Sequence, residues 1–147
     1  MKDPQQLRLA IIQSKYRSEV GEALTENCLV TLKDKGVDKS QVKVIKVPGA
    51  LEIPLAAKKL AKSNQYDAII VFGAVLKGKT YHFEQVSDEC VRGCMQVSYD
   101  FEVPVIFEVL CVYDIQDALE RATGIEDNRG VEGALSAIEA AETLGSL

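Results

Sequence analysis

The chain has 147 residues and a formal net charge of −5, with nearly half of its residues apolar and about a quarter charged. This length suits one domain over residues 1–147, whose core needs neither a disulfide nor a metal. The acidic balance disfavours nucleic acid as the main partner, because phosphate backbones are bound through an excess of Lys and Arg. No apolar run reaches the length of a membrane span, and the polar N-terminus lacks a signal-peptide core, so we expect a cytoplasmic protein without membrane contact.

Short apolar runs alternate with helical patterns along the chain, which is typical of an α/β fold around a parallel sheet. Because helices should cover both faces, the strands are expected to be continuous apolar runs. Four runs fit this description and are predicted as strands: Leu7 to Ser14, Val42 to Val47, Ala68 to Gly73 and Val105 to Val112. We therefore expect a central sheet of four parallel strands.

A helical pattern follows each predicted strand. The first helix is expected to begin near Ser18, a candidate cap, and the second follows Pro54. The first helix has an apolar stripe at four-residue spacing, formed by Val20, Leu24, Cys28 and Leu32. The third runs from about Phe83 to Tyr99 with one apolar stripe, and Asp114 is expected to cap a fourth. The last helix has an apolar stripe formed by Val131, Leu135, Ile138 and Leu144. We assign the apolar stripes of these helices to the core or to subunit contacts and not to ligand binding.

The four cysteines lie within apolar patterns and lack the paired spacing of a metal site. We expect them to be small core residues in a reducing compartment, and we predict no bound metal. They are Cys28, Cys90, Cys94 and Cys111.

Candidate chemistry should lie in the loops beyond the carboxyl ends of the strands, where parallel sheets bind ligands. The segment from Gly73 to His82 is one such loop and contains the only histidine. Its Gly73, Gly78, Lys79 and Thr80 match the spacing of a P-loop, which would make the protein a phosphotransferase.

The same segment can also be a strand end, an anion-binding turn and a positioned proton carrier. The three residues between Gly73 and Lys77 are poor material for the curled backbone of a P-loop, since the branched Val75 resists positive φ angles. This segment alone leaves the two interpretations near even.

Two further segments add polar groups at the same end of the sheet. Glu52 lies between two prolines, which stiffen its loop, and it can also serve as an acid at a helix start. Arg121 and Arg129 supply two guanidinium groups around a short loop, and such groups bind phosphate or carbonyl oxygens through paired hydrogen bonds. Arg121 could instead form an ion pair with Asp117, one helical turn earlier.

Four motifs in this order resemble lumazine synthase, the penultimate enzyme of riboflavin biosynthesis. They are Val47-Pro-Gly-Ala-Leu-Glu-Ile-Pro54, Gly73-Ala-Val-Leu-Lys-Gly-Lys-Thr-Tyr-His-Phe83, Ala118-Leu-Glu-Arg-Ala122 and Asn128-Arg-Gly130. The resemblance covers almost the whole chain and implies a flavodoxin-like fold, a single-domain three-layer αβα sandwich with a central four-stranded parallel sheet. It also implies condensation of a ribitylamino-substituted aminopyrimidinedione with a dihydroxybutanone phosphate, without cofactor or metal.

The resemblance assigns a role to each candidate site residue. His82 would carry protons, and Lys79, Thr80 and Arg121 would bind the substrate phosphate. Binding of the pyrimidine and its ribityl chain would fall to Tyr16, Ala50, Leu51, Glu52, Gly73, Ala74, Val75, Phe107 and Arg129. Arg129 matches a position usually held by lysine.

The resemblance further implies a homo-oligomer, a ring of five or a sixty-subunit shell of such rings, and it suggests riboflavin synthase as a partner. In such a ring Phe107, Arg121 and Arg129 would come from the adjacent chain. Three residues depart from the family pattern: Arg17 replaces a frequent asparagine, Glu108 a frequent glycine and Cys111 a frequent threonine. Arg17 and Glu108 motivate a further hypothesis, a flavin-binding shell protein without turnover.

Overall fold

The fold is built on one sheet of four parallel strands, seen in a computed structural model that describes residues 2–147. The strands are β1 (Leu9–Ser14), β2 (Val42–Val47), β3 (Ala68–Leu76) and β4 (Val105–Val112), in the order β2-β1-β3-β4. The predicted four-stranded parallel sheet is therefore confirmed. The first strand begins two residues later than predicted, and the third continues three residues beyond Gly73.

Five helices cover the two faces of the sheet. Helices α1 (Ser18–Asp34), α4 (Ile115–Thr123) and α5 (Arg129–Gly145) pack on one face, and α2 (Ile53–Lys62) and α3 (His82–Phe101) pack on the other. The predicted α/β class and three-layer αβα arrangement are thus confirmed. Within residues 2–147, none of the helices has both the length and the apolar character that crossing a membrane requires.

The core divides into two layers because successive strand residues point to opposite faces of the sheet. In β1, Leu9 and Ile11 face α1 and α5, whereas Ala10 and Ile12 face α2 and α3, and all four are fully buried. The apolar stripes predicted for the first and third helices lie in these layers. The helical periodicity of the sequence therefore identified the buried faces of α1 and α3.

Of the two helix caps predicted from the sequence, the cap of α4 is confirmed and the cap of α1 is not. Asp114 caps α4 as expected, since its carboxylate accepts a hydrogen bond from the backbone N–H of Gln116 at 2.9 Å. The cap predicted at Ser18 is wrong. Arg17 holds the N-cap position in the left-handed conformation, with φ of 54°, and Ser18 is the first residue of the helix.

The buried face of α5 consists of small residues, and the predicted stripe is only half-buried or exposed. The fully or nearly buried positions include Gly133, Ala134 and Ala137, whereas Leu144 is 53% exposed. The helix lies so close to the sheet that a Cβ on Gly133 would approach the Phe72 ring to 3.1 Å. The larger residues of the predicted stripe therefore lie at the sides of α5. There they can still form subunit contacts, the alternative to the core that was predicted for them.

The cysteines are mostly core residues, as predicted, but Cys111 is exposed, so that prediction is wrong for it. Burial raises the pKa of the Cys28 thiol to about 12. A hydrogen bond with Cys94, followed by burial, raises the pKa of the Cys90 thiol as well. These thiols are therefore protonated and unreactive at neutral pH. Within the described residues, no group of three or more potential metal ligands is close enough to hold an ion.

Gly130 lies where α5 packs against the backbone of α1, which makes it a test of this packing. A Cβ at this position would lie 2.5 Å from the carbonyl oxygen of Leu24. We expect Gly130→Ala to lower the free energy of unfolding by about 1–3 kcal/mol, because the backbone of α1 must move. Urea unfolding at one fixed protein concentration would measure the change.

Gly145→Ala is the matched control for this substitution. Gly145 belongs to the same helix, but nothing lies within 4 Å of its added Cβ. Equal unfolding midpoints for the two variants would contradict the close approach of α1 and α5.

Candidate functional site

A cavity of about 410 Å³ opens at the carboxyl ends of the strands. The chain leaves β1 towards β2 on one side and later returns to form β3 on the other side, so the loops after β1 and β3 diverge. Such a switch point is where parallel sheets bind ligands. The structure brings seven predicted site residues into the wall of this cavity: Tyr16, Ala50, Leu51, Glu52, Ala74, Val75 and His82.

The cavity wall also contains residues that were not predicted to bind a ligand. Phe83 and Val86 line it from the first turns of α3, together with Pro48, Gly49 and Leu76. Phe83 and Val86 belong to the apolar stripe of α3, which was assigned to the core or to subunit contact. They are the stripe residues closest in sequence to His82, and this is the one sequence feature that could have indicated contact with a ligand.

Gly73 does not line the cavity, although it directly precedes Ala74 and Val75 in its wall. A Cβ at Gly73 would lie 2.8 Å from the Cβ of Ser14, so the absence of a side chain lets the ends of β1 and β3 approach each other. The hydroxyl of Ser14 is buried there and has no hydrogen-bond partner among residues 2–147. Gly73 therefore sets the spacing of the two strands at the switch point.

The P-loop interpretation of the segment after Gly73 is wrong. Residues 74–76 continue β3 in extended conformation, so no curled backbone forms before Gly78. The following helix begins at His82, whereas a P-loop helix would begin near the Lys79–Thr80 step. Lys79 and Thr80 instead lie exposed in a short turn, where the Thr80 hydroxyl is 3.5 Å from the backbone N of His82.

Lys77 anchors this turn on both sides. Its backbone N–H donates a hydrogen bond to the carbonyl of Val112 at 2.9 Å, and its ammonium pairs with the Glu84 carboxylate. The hydrogen bond from Lys77 lowers the pKa of Glu84. The same ammonium lies 5.4 Å from the centre of the Phe83 ring. The charge of Lys77 is therefore compensated within the chain, and the described part of the structure gives Lys79 no ion pair.

Glu52 and Tyr16 offer a carboxylate and an aromatic ring to the cavity. Glu52 occupies the N-cap position of α2, where the helix dipole favours an acid, and its side chain makes no capping hydrogen bond. Its carboxylate therefore remains available to a ligand. Tyr16 is half exposed, and the guanidinium of Arg17 lies 5.7 Å from the centre of its ring.

Phe107 and Arg121 do not line the cavity of their own chain. Phe107 is half-buried on the edge strand β4, and Arg121 projects from α4 with its side chain 41% exposed. The Arg121 guanidinium donates a hydrogen bond to the backbone carbonyl of Asp117 at 2.8 Å. The carboxylates of Asp117 and Asp127 are 3.9 and 3.8 Å away, so the expected ion pair with Asp117 exists only at long range.

Arg129 also lies away from the cavity and forms a paired contact with Glu108. Its Nε and Nη2 donate hydrogen bonds to the two carboxylate oxygens of Glu108, at 2.8 and 2.9 Å. These bonds raise the pKa of Arg129. Glu108 is 6% exposed and lies on the sheet face covered by α1 and α5. Sequence reasoning missed this contact because the two residues are 21 positions apart on separate elements.

A family model provides an independent comparison with known proteins. The model for 6,7-dimethyl-8-ribityllumazine synthase matches residues 6–145, nearly the whole chain. The matched region includes every strand and the whole wall of the cavity. The chain therefore belongs to the lumazine synthase family, whose members are transferases of riboflavin biosynthesis.

Proposed function

We propose that the protein makes 6,7-dimethyl-8-ribityllumazine from 5-amino-6-(D-ribitylamino)uracil and 3,4-dihydroxy-2-butanone 4-phosphate, with release of phosphate and water. The observation that carries the proposal is the cavity between β1 and β3, where His82, Glu52 and Tyr16 converge in a chain of this family. Its volume of about 410 Å³ is in the range of small-molecule sites.

The cavity offers separate surfaces for the two parts of the pyrimidine substrate. Tyr16 can stack on the flat ring, a contact that adds about 1 kcal/mol beyond area burial. The strand end at Ala74 and Val75 gives the cavity an apolar wall, and the loop of Ala50, Leu51 and Glu52 lines it as well. The free carboxylate of Glu52 suits the hydroxyl groups of the ribityl chain.

His82 is the proton carrier in this proposal. Attack of the amine on the ketone, dehydration to the imine, phosphate elimination and ring closure all require proton transfers, and a single imidazole can serve several of them. Its position at the start of α3 places it next to the exposed turn of Lys79 and Thr80. That turn would hold the phosphate, and its positive charge would stabilise the departing anion.

The site is completed by a neighbouring subunit. Phe107, Arg121 and Arg129 do not line the cavity of their own chain, so the proposed contacts with ring and phosphate need a second copy. We therefore propose a homo-oligomer of single-domain chains, a pentamer or a sixty-subunit shell of pentamers, in the cytoplasm. Riboflavin synthase, which would consume the product, is the partner proposed for this assembly.

The test is synthesis of the lumazine by purified protein from the two substrates, without added cofactor, metal or ATP. Product formation is followed by its fluorescence and corrected for the spontaneous reaction measured without protein. We expect turnover well above that background. Tight riboflavin binding with no synthesis above background would support the flavin-binding shell protein instead, and would overturn the proposal.

A further inference from the structure

The two arginines proposed for the site differ in how their charge is compensated. Arg129 donates from Nε and Nη2 to both oxygens of the buried Glu108 carboxylate, at 2.8 and 2.9 Å. Arg121 makes its short hydrogen bond to a neutral backbone carbonyl, and its nearest carboxylates are 3.8 and 3.9 Å away. Only Arg129 is therefore held by a buried carboxylate through two hydrogen bonds, whereas the carboxylates near Arg121 are exposed.

This difference decides which substrate groups each arginine can attract. A phosphate approaching Arg129 meets the guanidinium and the adjacent Glu108 carboxylate together, so attraction and repulsion largely cancel. A neutral carbonyl oxygen needs only a hydrogen-bond donor, and the outer Nη1 of Arg129 is not used by Glu108. The two carboxylates near Arg121 are exposed and form no short hydrogen bond with it, so an incoming phosphate can replace them.

The pairing with Glu108 also fixes the direction of the Arg129 fork. Glu108 projects from the rigid strand β4 and is 6% exposed, so its carboxylate has little freedom. The nearest other carboxylate to Nη1 is that of Asp127 at 3.9 Å, which is beyond hydrogen-bond length. Two parallel hydrogen bonds to a buried acceptor therefore leave the outer edge of the guanidinium facing away from Glu108.

We propose that Glu108 is a positioning and specificity residue, which reserves Arg129 for the neutral carbonyl groups of the pyrimidinedione and leaves the phosphate to Arg121. The inference rests on the proposed function, since it concerns the same shared site.

The test uses Glu108→Gln, which keeps the shape and one acceptor oxygen but removes the charge. Inorganic phosphate is the probe, and its affinity is measured by calorimetry and as inhibition of turnover. We expect phosphate to bind Glu108→Gln about ten-fold more tightly than the unaltered protein, because the freed charge of Arg129 becomes a second anion site. The KM for the pyrimidine should rise about ten-fold as the guanidinium loses its fixed direction.

Three further variants separate this role from a structural one. Glu108→Asp keeps the charge and should show no gain in phosphate affinity. Adding Arg129→Gln to Glu108→Gln should return phosphate affinity to its original value. Glu89→Gln is the matched control, because Glu89 forms an exposed pair with Arg92 on α3 and should leave both measurements unchanged.

A purely structural role for Glu108 predicts a different result. Glu108→Gln would then lower the melting temperature or change the native mass, with unchanged phosphate affinity, and this outcome would overturn the inference. Failure of the proposed function would be seen separately, as absence of lumazine synthesis by the unaltered protein. Calorimetry with phosphate would still show whether Glu108 compensates the charge of Arg129.

Discussion

Replacing His82 by Gln is expected to lower kcat by about 100-fold, the lower end of what a positioned acid–base group contributes. The glutamine side chain can still form hydrogen bonds, but it cannot exchange protons near neutral pH. We expect the lower end because His82 is exposed in the single chain, so water that stays in the site can transfer some of the protons. Initial rates of lumazine formation, corrected for the spontaneous reaction, measure the effect.

Two observations distinguish proton transfer from substrate binding at His82. The KM for each substrate should change little in His82→Gln, and added imidazole should restore part of the activity of His82→Ala by entering the vacated space. A variant that kept more than half of the original kcat would contradict the assignment of His82. Since the chain has a single histidine, no second imidazole can take over its role.

Arg121→Ala is expected to lower kcat/KM by about 100- to 1,000-fold, mainly through the KM of the phosphate-bearing substrate. The guanidinium would hold an anion through charge-assisted hydrogen bonds, and it would also stabilise the phosphate as it leaves. Arg92→Ala is the matched control, because Arg92 is an exposed arginine on α3 whose partner is Glu89. An equal loss in both variants would mean that removal of any positive charge slows the reaction.

Mixing the two inactive chains tests whether sites are shared between subunits. His82→Ala and Arg121→Ala chains are unfolded, combined in equal amounts and refolded together. In a ring with random order, about a quarter of the seams pair a chain that retains His82 with a neighbour that retains Arg121. We therefore expect about a quarter of the unaltered activity. No recovery in rings shown by native mass spectrometry to be mixed would contradict a shared site.

The sequence predicted those parts of the fold that depend on local pattern. The strands and the stripes of α1 and α3 follow from the periodicity of apolar residues, and the Asp114 cap follows from one side chain beside a helix start. The buried face of α5 could not be predicted in this way. It depends on the distance between Gly133 and Phe72, which is set by the packing of separate elements.

The residues of the candidate site could likewise be predicted only where they belong to local sequence motifs. Motifs that are continuous in sequence supplied Glu52 and His82, which the structure brings to one cavity. The pairing of Arg129 with Glu108 joins two elements 21 residues apart, and no local pattern encodes it. That Arg121 does not line the cavity of its own chain was implied by the resemblance and not by any local pattern.

The backbone of Arg17 has a consequence for the mobility of the ring beside it. An L-residue with φ of 54° is strained by roughly 1–2 kcal/mol relative to the right-handed helical conformation, and asparagine tolerates this conformation better. The guanidinium of Arg17 lies 5.7 Å from the Tyr16 ring centre, an attraction of about 0.5–1 kcal/mol at an exposed site. Replacing Arg17 by asparagine would thus remove the contact with the Tyr16 ring and relieve the backbone strain. We expect nearly equal thermal stability but a Tyr16 ring that reorients more freely.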